Sequence, residues 1–130
     1  MRELKFRAWD KDTKRYWNVG GLGFEKGRLI EVYLDNYPTT LEGNEECKKP
    51  DEVILEQYTG LKDKNDKEIY EGDIVEIYKG GATYEVAWFE KYGGWFCFSN
   101  NDDHYEPLYQ ADFEVIGNIH ENKELLEGEK

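Results

Sequence analysis

Asp102, Asp103, His104 and Glu106, in the run NNDDHYE, are the most ligand-like constellation of this 130-residue chain. Carboxylates beside an imidazole are a donor set for a divalent metal, and a histidine next to a carboxylate can move protons near neutral pH. Contiguous ligands converge poorly on one ion, however, and the run lies in a polar connection between strand-like segments. A solvated loop is the favoured reading. Asp63, Asn65 and Asp66 form a second oxygen-rich group with the look of a calcium loop. The ligand pattern fails there: counting from Asp63, the fifth position is Lys67, the sixth is not glycine, and the twelfth is Ile74 in place of a bidentate glutamate. A solvated hairpin tip is expected instead.

Nucleophilic chemistry is poorly provided for. Ser99 is the only serine and lacks the flanking glycines of a nucleophile elbow. Cys97, inside GWFCF, alternates with large aromatics and reads as a buried, inert thiol, because reactive cysteines need exposed, electropositive surroundings. GGLG at 20–23 has neither a following Lys-Ser/Thr nor a helix to bind phosphate, so it reads as a turn. His120 falls at the end of the last strand-like segment, where a capping or surface role suits it. No catalytic residue, metal ligand or cofactor site is assigned.

The aromatic series Trp88, Phe89, Tyr92, Trp95, Phe96 and Phe98 is the leading surface candidate. In strands half of such a run faces a core, and the rest can build a peptide groove or a subunit interface. Trp88, Phe89, Tyr92 and Trp95 are the candidate protein-binding residues.

Composition supports a folded chain. Four Trp, ten Tyr and six Phe give it far more large apolar area than a disordered segment carries. The longest apolar run is only a few residues, and no charged-then-apolar leader is present, so neither a membrane span nor secretion is expected. Cys47 and Cys97 stand fifty residues apart, without the clustering of a zinc site or a disulfide framework, which suits reduced thiols in a cytoplasm. The net charge of −12 is uneven. Residues 1–28 hold eight Lys or Arg against four acids, leaving −16 on the remainder. Residues 80–120 carry one cation, Lys91, against seven acids. Such a surface repels phosphate backbones, so direct nucleic-acid binding is not expected.

RELKFRAWD alternates, with Leu4, Phe6 and Ala8 on one face and Lys5, Arg7 and Trp9 on the other, as a half-buried strand does. YWNV continues it after a polar turn, glycines at 20, 21, 23 and 27 mark a loop-rich stretch, and RLIEVYL is a further strand. Residues 35–52 read as a long loop rich in turn-formers and charges. VILEQY, DIVEIYK, ATYEVAWFE, GWFCFSN and FEVIGNI follow as short strands, Gly80-Gly81 and Gly93-Gly94 separating three of them. ENKELLEG reads as a short helix with Asn122 as N-cap and Gly128 as C-cap. The expected fold is mainly β. A β-rich N-terminal lobe spans 1–57. A hinge hairpin, a small antiparallel SH3-like barrel and a short C-terminal helix span 58–130, all within one compact two-lobed unit.

Three blocks, MRELKFRAWDKDTKRYW, QYTGLKDKNDKEIYEGDIVEI and EVIGNIHENKELLE, resemble the YopX family of phage and prophage proteins from low-GC Gram-positive hosts. The resemblance implies a small β-rich, phage-encoded protein made in the bacterial cytoplasm, and supplies no mechanism. In that family the hairpin commonly reads Asn-Gly where this chain has Asn65-Asp66, and the terminal helix often begins Asn-Pro where Lys123 follows Asn122. The function expected is binding to a host or phage protein in place of catalysis. An acidic DNA mimic that inhibits a host nucleic-acid enzyme, and a metal-dependent enzyme built on Asp102, Asp103, His104 and Glu106, are the alternatives. The charge split and a free edge at residues 2–10 further suggest a homo-oligomer.

Overall fold

The computed structural model describes residues 3–37, 45–77, 80–99, 104–108 and 113–127. The chain divides into two compact units, Leu4–Gln57 and a C-terminal unit from Tyr58 onward. Eleven antiparallel strands and one short helix make the described fold mainly β, with the helix at the C-terminal end as expected.

In the N-terminal unit, β1 (Phe6–Asp10), β2 (Arg15–Glu25), β3 (Arg28–Asp35) and β4 (Glu45–Lys48) are followed by a 3-10 turn at Pro50–Glu52 and by β5 (Val53–Lys62). β5 gives its first half to this unit, and the order is β4-β3-β2-β1-β5. Ala8, Val32, Leu34, Tyr37 and Val53 are the buried core, with Trp17, Val19, Leu22, Leu29 and Leu55 packed on it. The alternation of β1 holds at Ala8, which is fully buried, while Leu4 precedes the strand and is 69% exposed. β1 lies between β2 and β5, pairing Arg7 with Asn18 on one side and with Glu56 on the other. The edge expected at residues 2–10 for self-association is therefore already paired from Phe6 on. On the other face of β1, Arg7 Nε donates to buried Glu56 Oε1 at 2.9 Å and Tyr16 Oη donates to the same oxygen at 2.9 Å. The Arg7 guanidinium lies 4.1 Å from the Tyr16 ring centre, so the ion pair is roofed by an aromatic.

The glycine run is strand, not turn: Gly20, Gly21 and Gly23 lie inside β2, with bulges between Val19 and Gly21 and between Gly23 and Phe24. A Cβ at Gly20 would collide with the Asp35 carboxylate, and one at Gly23 would stand 2.7 Å from Glu31 Oε1. The glycines make room for side chains of β3. Residues 35–52 are not one long loop either, since β4 pairs with β3 from Val32–Lys48 to Asp35–Glu45.

A buried polar knot closes the unit. Asp10 receives hydrogen bonds from Thr13 N at 3.1 Å, Thr13 Oγ1 at 2.8 Å and Tyr37 Oη at 2.7 Å. Lys48 Nζ stands 3.5 Å from its other oxygen. Burial opposes ionisation of Asp10, but the hydrogen bonds of Tyr37 and Thr13, with the Lys48 charge, outweigh it and hold the carboxyl below its ordinary range.

In the C-terminal unit, the second half of β5 pairs with β6 (Glu68–Tyr70). β7 (Asp73–Glu76), β8 (Thr83–Phe89), β9 (Gly94–Phe98), β10 (Tyr105–Pro107) and β11 (Glu114–Asn118) follow, then α1 (Glu124–Glu127). The sheet order is β10-β9-β8-β7-β11. Among the described residues β10 pairs only with β9 and β11 only with β7, so the sheet is not closed into the small SH3-like barrel that was expected. Closure needs the two outer strands to pair, and β10 is three residues long while β11 is bulged between Val115 and Gly117. Ile69, Val75, Tyr84, Val86, Cys97, Leu108 and Phe113 form the buried core of this unit.

Asn122 does not act as a side-chain N-cap. Its Oδ1 accepts from Asn118 N at 3.1 Å, behind the helix, in space that Gly117 leaves: a Cβ there would lie 2.6 Å from that oxygen. The expected C-cap, Gly128, lies outside the described residues. No helix among the described residues is long and apolar enough to cross a membrane.

Candidate functional site

The hairpin at 58–70 is a clamp built on a buried carboxylate. Asp63 is only 5% exposed, where a solvated tip was expected. Its Oδ1 accepts from Asn65 N at 2.8 Å and Lys67 N at 2.9 Å, and its Oδ2 from Val115 N at 2.9 Å, fifty-two residues away. Lys64 N donates to Phe113 O at 2.9 Å beside it. Burial opposes the charge on Asp63, and the three amides outweigh burial, holding its carboxyl below the ordinary value. Asp66 N donates to Asp63 O at 2.9 Å and Asp66 is left-handed (φ +69°), while Asn65 is not. That is a turn closed by one left-handed residue, not a two-residue primed turn. Asp73 does the same work at the next corner, its Oδ2 accepting from Tyr70 N at 2.8 Å, after Gly72 at φ +89°. These oxygens are spent on backbone amides.

The histidine–carboxylate run is only partly described. His104 Nε2 lies 3.1 Å from Glu106 Oε2 on the surface, and Asp102 and Asp103 fall outside the described residues. Among the described residues no three His, Cys, Asp or Glu side chains gather as metal ligands do. Ser99 Oγ accepts from His104 N at 3.3 Å and so closes the β9–β10 connection. His120 N donates to Asn118 Oδ1 at 3.0 Å, in a turn after β11. Two hollows of about 460 and 380 Å³ open on the N-terminal unit and share Arg28 and Ile30. Their polar lining, Glu25, Lys26, Lys49 and Asp51, offers charge of both signs and no Ser, Thr, Cys or His.

Cys97 is fully buried, and burial pushes its thiol up to about 12. Cys47, on β4 opposite Tyr33, is exposed. Native alkylation is therefore expected to label Cys47 within minutes and leave Cys97 unmodified until denaturant is added, as read by intact mass. Rapid double labelling would show that the β9 core opens under native conditions.

The aromatic series splits by register. Val86 faces Cys97 and Trp88 faces Trp95 across β8–β9, so these side chains lie on the core face. Trp95 packs against the core, whereas Trp88 at the strand end is 46% exposed, its ring 5.2 Å from that of Trp95. The opposite face carries Glu85, Ala87 and Phe89 from β8, Phe96 and Phe98 from β9, and Tyr105 from β10, which pairs with Phe98. Phe89 is the hub there. The rings of Tyr92, Phe96, Phe98 and Tyr105 meet it edge to face, at 5.2, 5.2, 5.1 and 5.0 Å. Tyr92 is 55% and Tyr105 39% exposed. Of the four candidates, Phe89 and Tyr92 thus sit on this outer face, and Trp88 and Trp95 on the other. Tyr105 and its neighbours Phe96 and Phe98 complete the cluster. Tyr105 was not anticipated, because its polar surroundings hide a three-residue strand.

The family model described as YopX protein matches residues 5–127. The crystal structure of protein EF1440 from Enterococcus faecalis is similar to this chain, with a TM-score of 0.66 and 30% sequence identity over 97% of this chain and 99% of that one. No curated protein sequence matches.

Proposed function

Since the chain belongs to the YopX family, we propose that it is an accessory protein of phage or prophage origin, working in the bacterial cytoplasm by binding another protein in place of catalysis. The binding surface is the outer face of the C-terminal sheet. The observation that carries this reading is the five-ring cluster around Phe89, with Tyr92 and Tyr105 at its open rim. Aromatic side chains supply most of the energy at protein interfaces, because they bury large area at low entropy cost, and a cluster on one face concentrates it. The same rings add little to the core on the other side of the sheet, which Val86, Cys97 and Tyr84 already fill.

The test compares capture of a host protein by the intact chain and by a Tyr92→Ser/Tyr105→Ser variant. Both rings are exposed, so the variant is expected to fold. Retention of the partner should fall at least tenfold, roughly the effect of losing about 1.4 kcal/mol of binding energy. Phe24→Ser, at an exposed ring of the N-terminal unit, should leave retention unchanged. Full retention by the double variant together with loss in Phe24→Ser would move the surface to the other unit.

A further inference from the structure

We propose that the segment this face receives is an extended, arginine-bearing cationic peptide, laid across Phe89, Tyr92 and Tyr105; the inference rests on the protein-binding reading above. Three observations select that chemistry. The first is a cation already present on the face, as Lys91 Nζ stands 5.5 Å over the Tyr92 ring. Ring faces attract cations through their quadrupole, and Lys91 is the sole Lys or Arg between residues 80 and 120. The second is the negative charge of this part of the chain. Glu85 shares the face with Phe98 by register, Glu90 follows Phe89, and residues 58–130 contain no arginine, with seven lysines against seventeen acids. A positive segment is steered toward this surface and a negative one repelled.

The third observation is shape. From β8 across to β10 the face spans two strand spacings, about 10 Å, and from Glu85 to Phe89 about 13 Å. That strip matches roughly four residues of extended chain. Its rings meet Phe89 edge to face, and a planar guanidinium stacks on an aromatic face where a hydrated ammonium gains less. Alternating apolar and arginine side chains would set the apolar ones against Phe96 and Phe98 and the cations over the tyrosines.

The inference is tested by titrating the full, nitrogen-15-labelled chain with a blocked hexapeptide alternating valine and arginine, and with its lysine and glutamate counterparts. The arginine peptide should shift backbone amides of residues 83–98 and 105–107. Its affinity should fall at least tenfold in Tyr92→Ser/Tyr105→Ser and severalfold between about 50 and 500 mM salt. The lysine peptide should bind more weakly, and the glutamate peptide should leave the spectrum unchanged. Equal binding of the glutamate peptide, or shifts confined to residues 4–57, would overturn the inference. If no peptide binds while the double variant still loses its captured partner, the cationic-peptide inference fails and the protein-binding reading stands.

Discussion

Asp63→Ala should cost about 3–5 kcal/mol of folding stability, because it leaves three amides without their acceptor and empties a buried site. For a chain of this size that is a fall in Tm of roughly 10–20 °C. The amides of Asn65 and Lys67 shape the turn, and that of Val115 ties it to the first residues of β11. Water can reach the two turn amides in the variant, but Val115 N lies among partly buried neighbours and loses more. Asp63→Asn should recover only part of the loss, since an amide side chain keeps one accepting oxygen where three amides donate. Asp66→Ala three residues on is the control. Asp66 is exposed and left-handed, so its replacement should cost about 1 kcal/mol through backbone strain alone, and Asp66→Gly should relieve that strain. Urea denaturation of the four variants ranks them. Equal midpoints for Asp63→Ala and Asp66→Ala would mean the buried carboxylate holds nothing.

Asp10→Ala is the matching loss in the N-terminal unit, again about 3–5 kcal/mol, because it removes the acceptor of Tyr37 and Thr13 and the nearer carboxylate of buried Lys48, which keeps the exposed Asp12 at 3.7 Å. Lys48→Met should cost less, about 1–3 kcal/mol, since Tyr37 and Thr13 still satisfy the carboxylate. Both aspartates also set the acid limit of the fold. Their folded carboxyls titrate below the unfolded value, so the stability they confer is present above an unfolded pKa of about 3.9 and lost as pH falls through the lower folded values. Stability should therefore hold from neutral pH to about 4 and drop steeply beneath it. In the Asp10→Asn/Asp63→Asn double variant the chain should start less stable and decline less on acidification. An unchanged acid slope in the double variant, followed by circular dichroism, would place the titrating groups elsewhere.

The strands that alternate cleanly were legible in the sequence: RELKFRAWD, RLIEVYL and ATYEVAWFE hold β1, β3 and β8, although of the face expected to be buried in the first only Ala8 is fully so, and Leu4 lies outside the strand and exposed. Where the reading failed, the deciding partner was distant in sequence. Glycines usually mark turns, but those in β2 answer to Asp35 and Glu31 on the neighbouring strand. EECK has no apolar alternation, and becomes β4 by lying against β3. Asp63 in a lysine-rich tip looks solvated until Val115 arrives from the other end of the unit. The same limit applied to the aromatic series. Alternation divides Trp88 from Phe89 but cannot say which face is core, and that was settled by Cys97 opposite Val86 and by Tyr105 opposite Phe98. The run YTGLKDKNDKEIYEGD is a fold signature for this reason: its aspartates and glycines fix corners.

Hydroxyl-radical footprinting of the chain alone and of its complex with the captured protein bears most directly on the aromatic face as the binding surface. Labelling of Tyr92, Tyr105, Phe89 and Phe96 should fall severalfold in the complex, while Phe24 and Ile54, exposed on the N-terminal unit, should label as before. Unchanged labelling of the four rings, with protection at Phe24 or Ile54, would contradict it.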